Sequence, residues 1–245
     1  MDIPQFSDFD AKLIRAAQHV RELEEHALPA FRQARADQVT AEHDPDSGNY
    51  VVSVDQSPPG PGIAAIVGDA IANFRAALDF LVYSIAETDS GKAQSGTQFP
   101  IMDMPEDFAR FRPTYLRGVS DEHVATIEGL QPYNGGDWLA RLRDLSNPDK
   151  HRHLIPTSGL IEGDFRVFRR HKFAGDTISV GDPKRDRLRR QIREARLKSL
   201  GDRDVDVKLG LTFDVAFADG APVVETLKVL QSEVRAVIQE LKPLL

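Results

Sequence analysis

The stretch "IAAIVGDAIANFRAALDFLVYSIAET", Ile63 to Thr88, reads as one long amphipathic helix. Ile63, Ile66, Val67, Ala70, Ile71, Phe74, Leu78, Leu81, Val82 and Ile85 recur at three- and four-residue steps. Together they make a stripe too wide to be covered by a single neighbour, so this helix is expected at the centre of the core.

Upstream, Asp8 to Ala36 carries Leu13, Ala16, Val20, Leu23, Ala27 and Phe31 on one helical face. Ser7 is the expected N-cap, with Asp10 as a weak capping-box partner. Pro29 should kink or end that helix near Leu28, because proline lacks the N–H and crowds the preceding turn. "DPDSGN" is a cluster of turn formers beside Val51, Val52 and Val54, which predicts a hairpin. "SPPGPG", Ser57 to Gly62, is a stiff loop rather than a domain linker, since the central helix needs the first one as a packing partner.

Downstream, a short helix is expected near Pro105, another after Ser120 as N-cap, and a third from Trp138. After His153 the period changes to two. Val205, Val207, Leu209, Leu211, Phe213, Val215 and Phe217 alternate as one strand face. "RLRRQIREARLK" reads as a short basic helix with a solvated surface. A final helix follows Pro222, with Leu227, Leu230, Val234, Val237 and Leu241 on its inner face. The order predicts an α+β fold: a helical bundle with an appended antiparallel sheet and a C-terminal helix. A single domain over 1–245 is expected, with the helical part over about 1–153 and the sheet plus C-terminal helix over about 154–245.

Composition narrows the class. The chain has 245 residues, 41% hydrophobic and 28% charged, which suits an ordinary soluble globular protein. It has no cysteine, so thiolate chemistry and disulfides are excluded. The N-terminus shows no secretory pattern and no apolar run suggests a membrane span, so a cytoplasmic location and no membrane partner are expected. The net charge is −7, yet residues 141–198 hold 16 Lys and Arg against 8 Asp and Glu. The acidic total argues against wholesale nucleic-acid coating, while the basic segment suits a local patch for phosphate or an acidic partner.

The start of that segment, "RLRDLSNPDKHRH" (Arg141 to His153), is dense in chemistry. On an unbroken helix Arg143, Asn147 and His151 stand at i, i+4 and i+8. An arginine, an amide and an imidazole in a column can hold a phosphate and move a proton near neutral pH. Pro148 interrupts the column, and Asn147-Pro148 also reads as an N-cap followed by a first-turn proline. His151 is the candidate acid or base, Arg143 the phosphate holder, and Asn147 the group that orients the imidazole. Arg141, Lys150 and Arg152 are candidate substrate-binding cations. The alternative is a charged helix end that complements the helix dipole and has no chemical role.

His151 and His153 can share a metal if they lie on a strand, with His123 or Asp149 as a third ligand. Lys150 and Arg152 disfavour a divalent cation there, so no metal and no cofactor are expected. Phosphate-loop, dinucleotide and nucleophile-elbow patterns are absent, and "DSGK" at Gly91 lacks the glycine and strand of a phosphate loop. His19 and His26 lie one heptad apart, expected on the polar side of the first helix.

"NFRAALDFLVYSIA", "FPI", "LQPY" and "RDLSNPDKHRHL" together resemble a group of uncharacterised bacterial proteins, over most of the first 155 residues. More distantly, the helices with a polar Arg…His motif are similar to the HEPN superfamily. That resemblance implies a helical homodimer acting as a metal-independent ribonuclease on RNA. The family motif is an Arg, a polar residue and, a few residues on, a His. Here seven residues separate Arg143 from His151, with Pro148 among them. Three readings stand: a HEPN-like endoribonuclease or RNA-processing protein, a non-catalytic module for a nucleotide, nucleic acid or acidic partner, and a structural motif only. A homodimer through the helical layer is expected, although the first helix can fill the seam of the C-terminal helix within one chain.

Overall fold

The structure is a computed structural model; it describes residues 7–38, 40–44, 49–53, 57–146, 155–160, 165–169, 177–178, 194–198, 205–207 and 211–242. These residues are mostly helical.

Helix α1 spans Asp8–Glu22 and starts at the expected cap. Ser7 Oγ accepts from the Asp10 N–H at 3.4 Å and donates to the Asp10 carboxylate at 2.7 Å. Pro29 does not break the chain's helical course. Instead a π-helical turn, Leu23–Ala27, precedes α2, Leu28–Ala36. The Leu28 N–H donates to the Leu23 carbonyl, five residues back. The wider turn accommodates the carbonyls that a proline ring would otherwise crowd. It also adds one residue to the turn, so Leu28 rather than Ala27 is fully buried, and Phe31 is only half-buried.

The central helix, α3, spans Pro61–Ser90. Pro61 sits in its first turn, and Gly91 ends it in the left-handed region at φ 68°. Val67, Ala70, Ile71, Phe74, Leu78, Leu81, Val82 and Ile85 are all buried, as their spacing predicts. Helices α4 (Pro105–Tyr115), α5 (Asp121–Gly129) and α6 (Asp137–Ser146) come next along the chain. Ser120 caps α5, accepting from the His123 N–H. Helix α6 buries Leu139, Leu142 and Leu145.

The last helix, α7, spans Val223–Leu241. Its Leu227, Leu230, Val234, Val237 and Leu241 join one core with Leu13 and Val20 of α1, Leu23 of the π-helical turn and α3. The seam of α7 is therefore filled within the chain. Ion pairs Lys228–Glu24 at 2.6 Å and Lys242–Asp10 at 2.9 Å bind its rim to the N-terminal helical arm.

Short extended segments accompany the bundle. β1 (Thr40–Asp44) and β2 (Asn49–Ser53) pair antiparallel, as the hairpin reading expects. β3 (Ile155–Leu160) pairs antiparallel with β8 (Leu211–Ala216). β4 (Phe165–Arg169) lies between β5 (Thr177–Ile178) and β7 (Val205–Val207). Of the basic stretch expected as a helix, Arg187–Lys198, residues 187–193 lie outside the described residues, and Glu194–Lys198 runs extended as β6 against β2. Over those five residues the helical and extended periods cannot be told apart, and cross-strand pairing takes precedence. Phe213, Val215 and Phe217 are buried on the expected face, and Arg32 of α2 donates to the Phe213 carbonyl at 3.0 Å. Among the described residues, no helix is long and apolar enough to cross a membrane.

Candidate functional site

The motifs "FRAALDF", "FPI", "LQPY" and "RLRD" lie far apart in sequence and meet around one segment, Phe99 to Asp103. From α3, Asp79 accepts from the Phe99 N–H at 2.9 Å, and Arg75 donates to the Phe99 carbonyl at 2.6 Å. The two side chains also pair with each other at 3.0 Å, one helical turn apart. Burial pushes the Asp79 carboxyl above its ordinary value, against the opposing pull of Arg75 and the Phe99 N–H. The partners limit the cost of a charge in that position without removing it.

Gln131, just beyond α5, grips the same segment from the other side. It is fully buried. Its Oε1 accepts from the Met102 N–H at 2.9 Å, and its Nε2 donates to the Pro100 and Ile127 carbonyls, each at 3.0 Å. One amide thereby satisfies three backbone groups. The next turn is tight. Gly135 takes φ 97°, and a Cβ at Gly136 would lie 1.8 Å from the Leu130 carbonyl oxygen. Tyr133 packs edge-on against Phe108 and donates to Glu128 at 3.1 Å. Burial, together with that bond and the nearby charge, raises its hydroxyl to about 12.

Helix α6 brings Arg143 to the exposed end of the segment. Its Nη1 donates to Asp103 at 2.7 Å, and its Nε and Nη2 donate to Asp144 at 3.3 and 3.2 Å. The hydrogen bond to Asp103 leads the contributions that raise its pKa further, against burial, so the guanidinium is a permanent cation. Three of its five N–H groups are engaged in these bonds. Arg141 is also held, paired with Asp219 and lying over the Phe217 ring at 5.2 Å from the centroid. Of the residues singled out in the sequence, the structure thus places Arg141 and Arg143, both braced by carboxylates. Asn147, Lys150, His151 and Arg152 lie outside the described residues, as do Asp149 and His153.

His123, considered as a third metal ligand, is held through one ring nitrogen. Its Nδ1 is 2.7 Å from Asp89 and 3.1 Å from the Ser120 hydroxyl. Asp89 also accepts from the Ser120 N–H at 2.7 Å. Serine, histidine and aspartate are all present, but Ser and Asp meet the same ring nitrogen. A nucleophile–base relay needs them on opposite nitrogens, so this cluster is a clasp between the end of α3 and the start of α5. Among the described residues, no group of three or more His, Cys, Asp or Glu is arranged to hold a metal.

The sequence does not reveal Asp79, Gln131 and Asp103 as members of one cluster. Asp79, Gln131 and Phe99 each sit inside one of the four motifs, which is a partial signal, while Asp103 has no periodic link to Arg143. Comparisons with protein-family models, curated proteins and solved structures find no match.

Proposed function

We propose that the protein is a HEPN-like, metal-independent endoribonuclease or RNA-processing protein that contacts RNA phosphate at the end of α6. The bracing of Arg143 by Asp103 and Asp144 supports this reading. A guanidinium already held in place loses little side-chain entropy when it meets a phosphate, and two of its N–H groups lie outside those bonds. In this proposal His151 transfers the proton as general acid or base, Asn147 orients it, and Arg141, Lys150 and Arg152 add charge along the RNA backbone. No metal takes part. In this reading the antiparallel strand pairs are appended to the bundle, and the fold is α+β. The working unit is a homodimer in the cytoplasm, since sites of this kind form across two subunits.

The test is cleavage of end-labelled RNA in excess EDTA by the full chain and by His151→Ala and Arg143→Ala, with light scattering at micromolar protein. Turnover in EDTA that His151→Ala abolishes supports the enzyme. The same two carboxylates favour a second reading, because a guanidinium they hold and partly neutralise can position an RNA phosphate without stabilising the added charge of a transition state. In that case RNA binding without turnover, weakened by Arg143→Ala and unchanged by His151→Ala, identifies a binding module. A scattering mass near the 27.2 kDa of one chain removes the dimer and the ribonuclease with it.

A further inference from the structure

A second polar site lies away from Arg143, in a groove of about 370 Å³ between the N-terminal helical arm and α7. Its walls are two polar helix faces. From α7 come Lys228, Gln231, Ser232 and Arg235, spaced i, i+3, i+4 and i+7; opposite stand Arg21, Glu24 and Glu25. Glu24 and Glu25 are neighbours in the π-helical turn, and both reach the groove. The Glu24–Lys228 ion pair, 2.6 Å long, ties the two walls together. Arg21 and Arg235 are exposed, and among the described residues neither side chain has a hydrogen bond or ion pair, although Glu25 lines the same groove.

We infer that this groove binds a small phosphomonoester that carries hydroxyl groups, with Arg21 and Arg235 on its phosphate. Two cations contributed to one concave site raise the local concentration of anions. Guanidinium groups from two walls suit a tetrahedral dianion, whose several acceptor oxygens can be met from more than one direction. Gln231 and Ser232 supply neutral donors and acceptors beside it, and Glu25 accepts from a ligand hydroxyl. The groove falls within the usual size range of small-ligand sites. This inference does not depend on the RNA reading, because the two sites share no residue.

Isothermal titration of the full chain with inorganic phosphate, ribose 5-phosphate and ribose tests it. Saturable binding of both phosphates, tighter for the sugar phosphate, and no binding of ribose are expected. Arg21→Ala/Arg235→Ala should weaken the sugar phosphate at least about tenfold, the scale of one lost charge-assisted contact. Arg21→Lys/Arg235→Lys, which keeps charge but loses the fork, should fall between the wild type and the double-alanine variant. Circular dichroism of the double variants checks that the helices persist. Absence of saturable binding by the wild type, or equal affinity in the double-alanine variant, overturns the assignment.

Discussion

The Asp79 carboxylate, on the central helix, accepts the Phe99 backbone N–H at 2.9 Å, twenty residues along the chain. Arg75, one turn earlier, donates to the Phe99 carbonyl. The helix thus engages both polar groups of one loop residue whose ring is itself fully buried.

Replacing Asp79 separates hydrogen bonding from charge. Asp79→Ala leaves the Phe99 N–H without its acceptor and should destabilise by about 1–3 kcal/mol. Asp79→Asn keeps a carbonyl oxygen for that N–H and removes a charge that burial disfavours. Its loss in thermal denaturation should be clearly smaller. Equal losses in the two variants would show that the ion pair with Arg75 dominates.

Gln131 offers a stricter test, because it uses both ends of its amide. Gln131→Ala should cost about 2–3 kcal/mol by leaving buried backbone groups unpaired. Gln131→Glu is nearly the same shape, but when ionised it places an acceptor against the Pro100 and Ile127 carbonyls. Denaturant titration at pH 7 should find the glutamate variant at least as unstable as the alanine variant.

Gly136→Ala should destabilise although it adds one methyl group. The new Cβ would collide with the Leu130 carbonyl oxygen, a backbone atom that cannot rotate away. The chain between α5 and α6 must shift, and with it the Gly136 N–H bond to the Gln131 carbonyl. A melting temperature within one degree or so of wild type would refute the close approach.

Asp89 should contribute to the acid limb of stability. Burial opposes its ionisation, but hydrogen bonds from the Ser120 backbone and from the His123 and Ser120 side chains outweigh it and hold the carboxyl below 3.8. A carboxyl lowered on folding stabilises the native state at pH above its unfolded value. That contribution disappears as pH falls through the lower folded value. In urea titrations, Asp89→Asn should lose stability relative to wild type above about pH 4, and the difference should shrink toward pH 2. A difference that stays constant across that range would contradict the lowered value.

The helices were legible where burial and periodicity agree. Ile63 to Ile85 repeats its apolar residues densely enough that only one face can point inward. Ser120 was legible as a cap because serine before an acidic first turn satisfies helix N–H groups. The π-helical turn was not legible, since Ala27 and Leu28 are both apolar and either can serve as the inner residue. The site was legible only as fragments. Arg143 and Asp103 meet through folding of the intervening 40-residue separation, for which a local pattern carries no signal. Gln131 has the same composition buried or exposed, and only its three backbone partners reveal its role.

The π-helical turn at Leu23–Ala27 acts as a phase shifter for α2. Counting inward positions from Leu23 along an uninterrupted α-helix would bring Ala34 toward the core. With one extra residue in the turn, Ala34 is exposed and Arg35 is buried. Arg35 then donates to the Ser57 and Pro58 carbonyls, just before α3 begins. The side chain that anchors the entrance of the central helix is thus selected twelve residues upstream. Deleting one residue from the turn would restore a regular α-helix and keep arginine at that anchor, whereas closing the turn to an α-helix with no deletion would bring Ala34 there instead.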